Sequence, residues 1–381
     1  MRAVVVGAGV FGVWTAHHLY AGGASVTVVD SYGAGNSRSS SGDETRILRR
    51  GYGPDGIYSD LADRSLMQWQ ALDTRSRTSS EPLWHPCGVL WLAAGHDAYT
   101  EATRRTLERG SHALDVFDNA GLLRRFPQID PDGIAMALLE PDAGVLSARR
   151  AVRTLAAHLE RRGVRALRGR VTPPASSSPL RGVRLTDGSE VSGDLFVFAC
   201  GAWLPQLFPE LLGGRIRPTR QVVVYFGTPA GDGRFRADWM PAWIDFPAGI
   251  YGTPDIDGRG VKVGVDEHGP SIDPDLDDRI ADRDSVQKAR DWLAMRVPAL
   301  AAAPVIETRV CQYENTATGD FLIDRHPDHS NVWIVGGGSG HGFKHGPAVG
   351  ELAARFALTG EAPDARFNLE TKTTDARRAV Y

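Results

Sequence analysis

The run Val4-Val5-Val6-Gly7-Ala8-Gly9-Val10-Phe11-Gly12 constrains this chain more than any other stretch. An apolar, β-branched segment turns at glycines spaced G-x-G-x-x-G and then enters an alanine-containing helical pattern. The spacing predicts a strand, a tight turn and a helix start. Gly7 permits the sharp turn, Gly9 lets a pyrophosphate approach the backbone, and Gly12 lets the helix pack on the strand. A second apolar run, Ala24 to Val29, ends in Asp30, about twenty residues after the loop, where a carboxylate takes the ribose hydroxyls of an adenosine. Together these features predict a dinucleotide-binding βαβ unit and leave NAD and FAD as alternatives.

At 381 residues the chain exceeds a usual single hydrophobic core, which implies two domains or one large domain with an insertion. The apolar fraction of 42% supplies that core. A formal net charge of −3 gives no electrostatic reason to expect nucleic acid or an anionic membrane as a partner. No apolar run reaches the ~18 residues of a bilayer span. Cys87, Cys200 and Cys311 are too scattered for a disulfide framework or a C-x-x-C metal site, which fits a reducing compartment. Met1-Arg2 runs directly into the first strand, so the start does not read as a secretory segment, and a soluble cytoplasmic protein without a metal is expected. Only four lysines occur, at 262, 288, 344 and 372.

The Gly- and Ser-rich stretch Ser31 to Asp43 reads as an ordered loop over a ligand. Thr45 to Tyr52 then sets Arg46, Arg49 and Arg50 among apolar residues, either as a solvated edge or as an anion-binding segment, since guanidinium forks grip carboxylates. Spacing predicts helices over Tyr58 to Leu72, Tyr99 to Arg109, His112 to Ala120, Ala148 to Arg162 with Ser147 as its N-cap, and Ser285 to Met295. Asp187-Gly188 predicts a hairpin turn, and Ser176 to Pro179 a polar linker. Cys200 reads as a small core residue. In the β-rich block from Arg217 to Val265, Trp239, Trp243, Phe246 and Tyr251 suit core or pocket lining, and Asp245 is expected at the surface.

The last third returns to the opening pattern. The predicted strand Asn331 to Val335 runs into Gly336-Gly337-Gly338-Ser339-Gly340-His341-Gly342-Phe343-Lys344 and then a helix, Pro347 to Leu358. A second glycine-rich strand-to-helix crossing offers backbone N–H groups to an anionic or electron-rich group. A flavin with a distant isoalloxazine ring needs such a second site more than a nicotinamide cofactor does.

With these residues in place, the chain resembles the monomeric sarcosine oxidase and N-methyltryptophan oxidase family within the D-amino acid oxidase superfamily. The resemblance spans nearly the whole chain and is strongest at Gly7 to Gly12, Ser40 to Arg49, Arg217 to Gln221, and Cys311 to Lys344. It implies an α/β (α+β) fold, with a Rossmann-like FAD-binding domain (1–83, 144–214, 308–381) and an antiparallel-sheet substrate domain (84–143, 215–307) formed from inserted segments. The implied cofactor is FAD, attached through its 8α carbon to Cys311, seated by Gly7, Gly9, Gly12, Asp30, Ser40, Gly338, Gly340, Gly342 and Lys344. Lys262 matches the lysine that promotes electron transfer to O2. Arg49 and Lys344 match the pair that binds the substrate carboxylate, and Arg46 lies against the flavin ring. Tyr251 and Tyr313 match cavity-lining aromatics, and His341 lies in the glycine loop.

The implied reaction is oxidation of a secondary or N-substituted α-amino acid to an imine, with O2 reduced to H2O2, by a monomer. Two departures bear on substrate. Gly42-Asp43-Glu44 stands where sarcosine oxidases carry a histidine, and Asp266 stands in the register of another, so an amino acid other than sarcosine is expected. A flavin dehydrogenase, a cyclic imino acid or biosynthetic-intermediate oxidase, and a non-catalytic FAD-binding subunit are the alternatives.

Overall fold

In the computed structural model the described residues are 1–76, 81–95, 97–174 and 178–374, so part of the polar linker 176–179 and the end of the segment 308–381 expected to bind FAD lie outside them. The strand Arg2–Val6 is buried along four of its five residues, as a central parallel strand covered on both faces requires. It pairs in parallel with Ser25–Asp30 on one side and Leu195–Phe198 on the other. Arg165–Arg168 and Val332–Gly336 extend the sheet in parallel, and Leu322–Arg325 closes it as an antiparallel edge, giving six strands.

The helix Val10–Ala21 crosses this sheet and packs on the last long helix, Gly346–Thr359. Glycine makes the approach possible: a Cβ on Gly350 would stand 2.5 Å from the Trp14 carbonyl carbon. The first fingerprint glycines are equally constrained. Gly7 has φ +106°, and a Cβ on Gly12 would lie 1.8 Å from the Gly7 oxygen.

An eight-stranded sheet forms the second layer, in the order Val305–Thr316, Ile216–Phe226, Val261–Val265, Ile250–Thr253, Ala242–Asp245, Val89–Ala93, Met136–Glu140, Asp115–Phe117. It is antiparallel apart from the parallel pair Ala242–Asp245 and Val89–Ala93. The strand Val305–Thr316 lies wholly in this sheet and carries Cys311 and Tyr313, paired in register with Gln221 and Thr219. A small antiparallel sheet of Thr45–Leu48, Gly144–Ser147 and Trp84–His85 carries Arg46 and leads into Arg49.

Several expectations change. His112 to Ala120 is not a helix: Asp115–Phe117 pairs with Met136–Glu140, and a helix begins only at Asn119, where Asp118 caps it by accepting from the Gly121 N–H at 2.7 Å. Ser147 precedes its helix but makes no cap bond, because its hydroxyl is held by the His85 ring at 3.0 Å. Trp239 is 67% exposed, whereas Trp243 is buried against Trp292. Asp245 is buried rather than superficial, accepting from the Trp292 indole N–H at 2.9 Å. Among the described residues no helix is long and apolar enough to cross a membrane.

Candidate active site

One elongated cavity runs along the carboxyl ends of the six-stranded sheet, from Gly7, Gly9 and Asp30 to Arg46, Tyr313 and Phe343. This is the crevice where open α/β sheets hold ligands. Asp30 shapes its near end: one carboxylate oxygen accepts from the Tyr32 and Gly33 N–H groups, both at 2.7 Å, and the other accepts from the Ala8 N–H at 2.8 Å. Of the roughly four lone-pair sites of a carboxylate, this leaves one for a ribose hydroxyl. The backbone is bare at Gly9, where the nearest atom to an added Cβ is Ser41 Oγ at 3.5 Å.

The far end is lined by the second glycine loop. Gly340 has φ +80° and a Cβ there would meet the Tyr313 ring at 2.7 Å, while one on Gly342 would meet Gly338 at 2.8 Å. Three buried polar atoms of cavity-lining residues have no partner among the described residues, Ser40 Oγ, Gln312 Nε2 and Glu314 Oε2. Burial pushes the Glu314 carboxyl up to about 7, against the pull of the Gly337 and Gly338 N–H groups. An elongated cleft with bare glycine backbone, a carboxylate at one end and orphaned polar atoms along its wall fits an extended flavin dinucleotide.

Beside the cavity Asp43, Lys262 and Arg46 form a buried charge cluster. Lys262 Nζ donates to Asp43 Oδ2 at 2.7 Å and to the Thr45 carbonyl at 3.0 Å. Arg46 donates to the same carboxylate oxygen and to the Ser40 carbonyl, and Tyr225 donates to Oδ1 at 2.8 Å. Burial works against ionising Asp43, but Lys262 and Arg46 outweigh it and hold the carboxyl far below the usual range. Cys311 lies in the same cluster, with Sγ 3.8 Å from Arg46 Nη2, and burial raises its thiol although both cations oppose that shift.

Arg49 and Lys344 converge on Tyr52. The Arg49 guanidinium carbon is 4.4 Å and Lys344 Nζ 5.1 Å from its ring centroid. Lys344 also donates to the Tyr52 hydroxyl at 2.7 Å and the His341 carbonyl at 3.2 Å. Both cations are buried, and neither has a carboxylate ion-pair partner among the described residues. Burial, then Arg49, depresses the Lys344 pKa well below the ordinary lysine value. The Tyr52 hydroxyl lies 2.7 Å from His345 Nε2 and 3.3 Å from His341 Nδ1, and His341 Nε2 faces the Gly319 carbonyl at 2.9 Å. His341 thus stands behind Tyr52, packed against Phe321 and Tyr58.

The remaining candidates lie between these clusters. The Lys262 ammonium is 5.6 Å from the Tyr251 ring centroid, and the Tyr313 hydroxyl donates to Asp266 Oδ1 at 2.6 Å. Gly7, Gly9, Asp30, Ser40, Arg46, Tyr313, Gly338, Gly340 and Gly342 therefore line the one cavity, Cys311 and Lys262 adjoin it through Arg46 and Asp43, and Gly12, Arg49, Tyr251, His341 and Lys344 do not stand on its wall. Sequence reading passed over Tyr52 and Glu314, although each lies inside a segment singled out for other residues. Asp43 and Asp266 were visible only as departures from a pattern.

The family described as DAO, FAD dependent oxidoreductase, matches residues 2–356. The chain is 31% identical over 364 residues to a monomeric sarcosine oxidase of Bacillus sp. (strain B-0618), covering 94% of this chain and 92% of that protein. It is 26% identical to N-methyl-L-tryptophan oxidase of Salmonella newport (strain SL254), covering 94% and 95% of the two chains. Among solved structures, L-proline dehydrogenase from P. horikoshii superposes with a TM-score of 0.84 at 21% identity, covering 99% of both chains. A fructosamine oxidase from Aspergillus fumigatus superposes with a TM-score of 0.81 at 23% identity, covering 99% and 91%. At that identity these two likenesses speak to the fold.

Proposed function

Because the chain belongs to the DAO family of FAD dependent oxidoreductases, we propose that it oxidises the C–N bond of a secondary or N-substituted α-amino acid to the imine. FAD, when bound, supplies the redox chemistry, accepting a hydride equivalent from the substrate and passing the electrons to O2 to give H2O2. The observation that carries the substrate class is the convergence of Arg49 and Lys344 on Tyr52 without a carboxylate of their own. Two buried cations lacking an anion make a site for the carboxylate of an amino acid, and holding it there orients the rest of the molecule.

Other side chains take their proposed roles from where they stand. Gly7, Gly9 and the Val10–Ala21 helix start seat the pyrophosphate, and Asp30 takes the ribose. Ser40, Gly338, Gly340 and Gly342 line the flavin end, with Arg46 against the ring. Cys311, beside Arg46, is the proposed thioether link to the flavin. Lys262 presents a fixed cation for the reaction with O2. Tyr251 and Tyr313 wall the substrate side, and His341 holds Tyr52. In domain terms, 1–83, 144–214 and 308–381 serve the cofactor and 84–143 and 215–307 the substrate, with the strand Val305–Thr316 spanning that division. A cytoplasmic monomer is the expected form.

The test is anaerobic mixing of the flavin-loaded protein with a panel of N-alkyl amino acids that includes sarcosine, followed by admission of air. Rapid loss of the oxidised-flavin absorbance with one or more members, its return in air and formation of H2O2 are expected, with sarcosine not the best member. Failure of every amino acid to reduce the flavin overturns the reading.

A further inference from the structure

The strand Val261–Val265 sets Lys262 and Gly264 on one face of the sheet, and Asp266, just past its end but still held by its N–H donating to the Gly249 carbonyl at 2.7 Å, takes the next alternate position. Gly264 is the necessary gap in that row. Tyr251, opposite it in register, lays its ring over the glycine, and a Cβ there would stand 2.4 Å from Tyr251 Cζ. Asp266 therefore lies on the same face as the Lys262 ammonium, on the other side of the Tyr251 ring. From the adjoining part of the sheet, Tyr313 shares a face with Cys311 and reaches across to donate to Asp266 Oδ1 at 2.6 Å. Asp266 Oδ2 has no protein partner among the described residues, and the side chain is only half-buried although it stands among buried groups.

The surrounding charges leave that oxygen a distinct task. Asp43 is consumed by Lys262 and Arg46. Arg49 and Lys344 are the cations near enough to act on Asp266, while Tyr251 and Tyr313 are its uncharged neighbours. The next two residues, Glu267 and His268, are exposed, and Glu267 is paired with Lys288. Asp266 is thus the anionic group with a vacant acceptor within electrostatic reach of the two cations that await a carboxylate.

We infer that Asp266 is the recognition point for the cationic nitrogen of the substrate, so that the enzyme takes its amino acid as a zwitterion with the carboxylate on Arg49 and Lys344 and the nitrogen on Asp266 Oδ2. This rests on the reading of Arg49 and Lys344 as the carboxylate clamp. Tyr313 is a positioning residue: its hydrogen bond fixes one carboxylate oxygen and turns the other to the pocket. Burial raises the Asp266 carboxyl to about 6, so its charge is present at neutral pH and is withdrawn in mild acid.

The experiment titrates the flavin-loaded protein with two non-oxidised probes of one shape, trimethylammonioacetate and its all-carbon isostere 3,3-dimethylbutanoate, read from the perturbed flavin spectrum. At about pH 8 the cationic probe should bind about tenfold tighter or more, as a charged contact predicts. That preference should shrink toward pH 5.5, below the Asp266 value of about 6, and should be largely lost in Asp266→Asn, whose retained affinity for 3,3-dimethylbutanoate shows an intact clamp. Equal affinities in the wild type, or a full preference surviving in the variant, overturn the inference while leaving the clamp standing. Binding of neither probe overturns the clamp reading and this inference with it. If the variant does not hold flavin, the wild-type pH dependence decides, a flat preference being the contrary result.

Discussion

Lys262 Nζ lies 2.7 Å from Asp43 Oδ2, and neither side chain reaches solvent. The contact ties the loop that precedes Thr45–Leu48 to the strand Val261–Val265, so one ion pair joins the cofactor side of the molecule to the large sheet. It also governs the lysine's charge. Burial drives the Lys262 pKa down, and Asp43 is the main influence opposing that fall.

Two variants separate these effects. Lys262→Met should slow reoxidation of reduced flavin by O2 about 10²- to 10³-fold, the scale for losing one preorganised charge, with a smaller change in anaerobic reduction by substrate. Asp43→Asn removes the group that raises the lysine pKa, so Lys262 loses its proton at lower pH and the oxygen reaction of the variant should slow as pH rises. Leaving buried cations uncompensated should also cost about 3–5 kcal/mol of stability. Stopped-flow oxidation across pH checks both variants, and an oxygen rate indifferent to Lys262 removes it from the mechanism.

Arg49→Lys and Lys344→Met each take a charged contact from the proposed carboxylate site. The KM for an amino acid should rise roughly 10- to 100-fold in each, the worth of one hydrogen bond to a charged group. Oxidation of an amine that lacks a carboxylate should change far less. Equal losses for both substrates would point to a general disturbance around Tyr52, the ring that both cations share.

Cys311 stands 3.8 Å from Arg46 and is buried. When the protein is precipitated with acid, the yellow colour should stay in the pellet, and Cys311→Ser should release it to the supernatant. Colour in the wild-type supernatant rules out the tether.

Glu314 gives a stability test with a definite sign. Its folded value of about 7 lies above the usual 4.5, so between these values the folded chain holds a proton that the unfolded chain has released. Stability is greatest below the ordinary glutamate range and declines as pH rises toward 7, by up to roughly 3 kcal/mol for this buried group. Glu314→Gln keeps the shape without the titration. Its thermal midpoint should exceed that of the wild type at about pH 8 and approach it at about pH 5; parallel midpoints at both values contradict the shift.

Much of the cofactor cradle was legible because its determinants are local. A β-branched strand, glycines at fixed offsets and an acid at the next strand end specify a turn whose φ values and close approaches only glycine satisfies, as Gly7 and Gly12 show. The helices with clear apolar spacing were equally readable. His112 to Ala120 misled because pairing with Met136–Glu140 and the Asp118 cap outweighed the local helical pattern.

What the sequence by itself determined was the dinucleotide fingerprint, the two glycine-rich crossings and the residue types available for chemistry. Which charges meet was decided only by tertiary structure. Asp43 and Lys262 are separated by 219 positions, Tyr52 and Lys344 by 292 and Asp266 and Tyr313 by 47, and each pair is joined by the packing or register of distant elements. Asp245 makes the point in reverse: an acid that reads as surface is buried because Trp292, 47 positions away, offers it an N–H. Local spacing encodes turns and periodic faces, whereas the partner of a buried charge depends on which strands lie side by side, and no short stretch of chain carries that information.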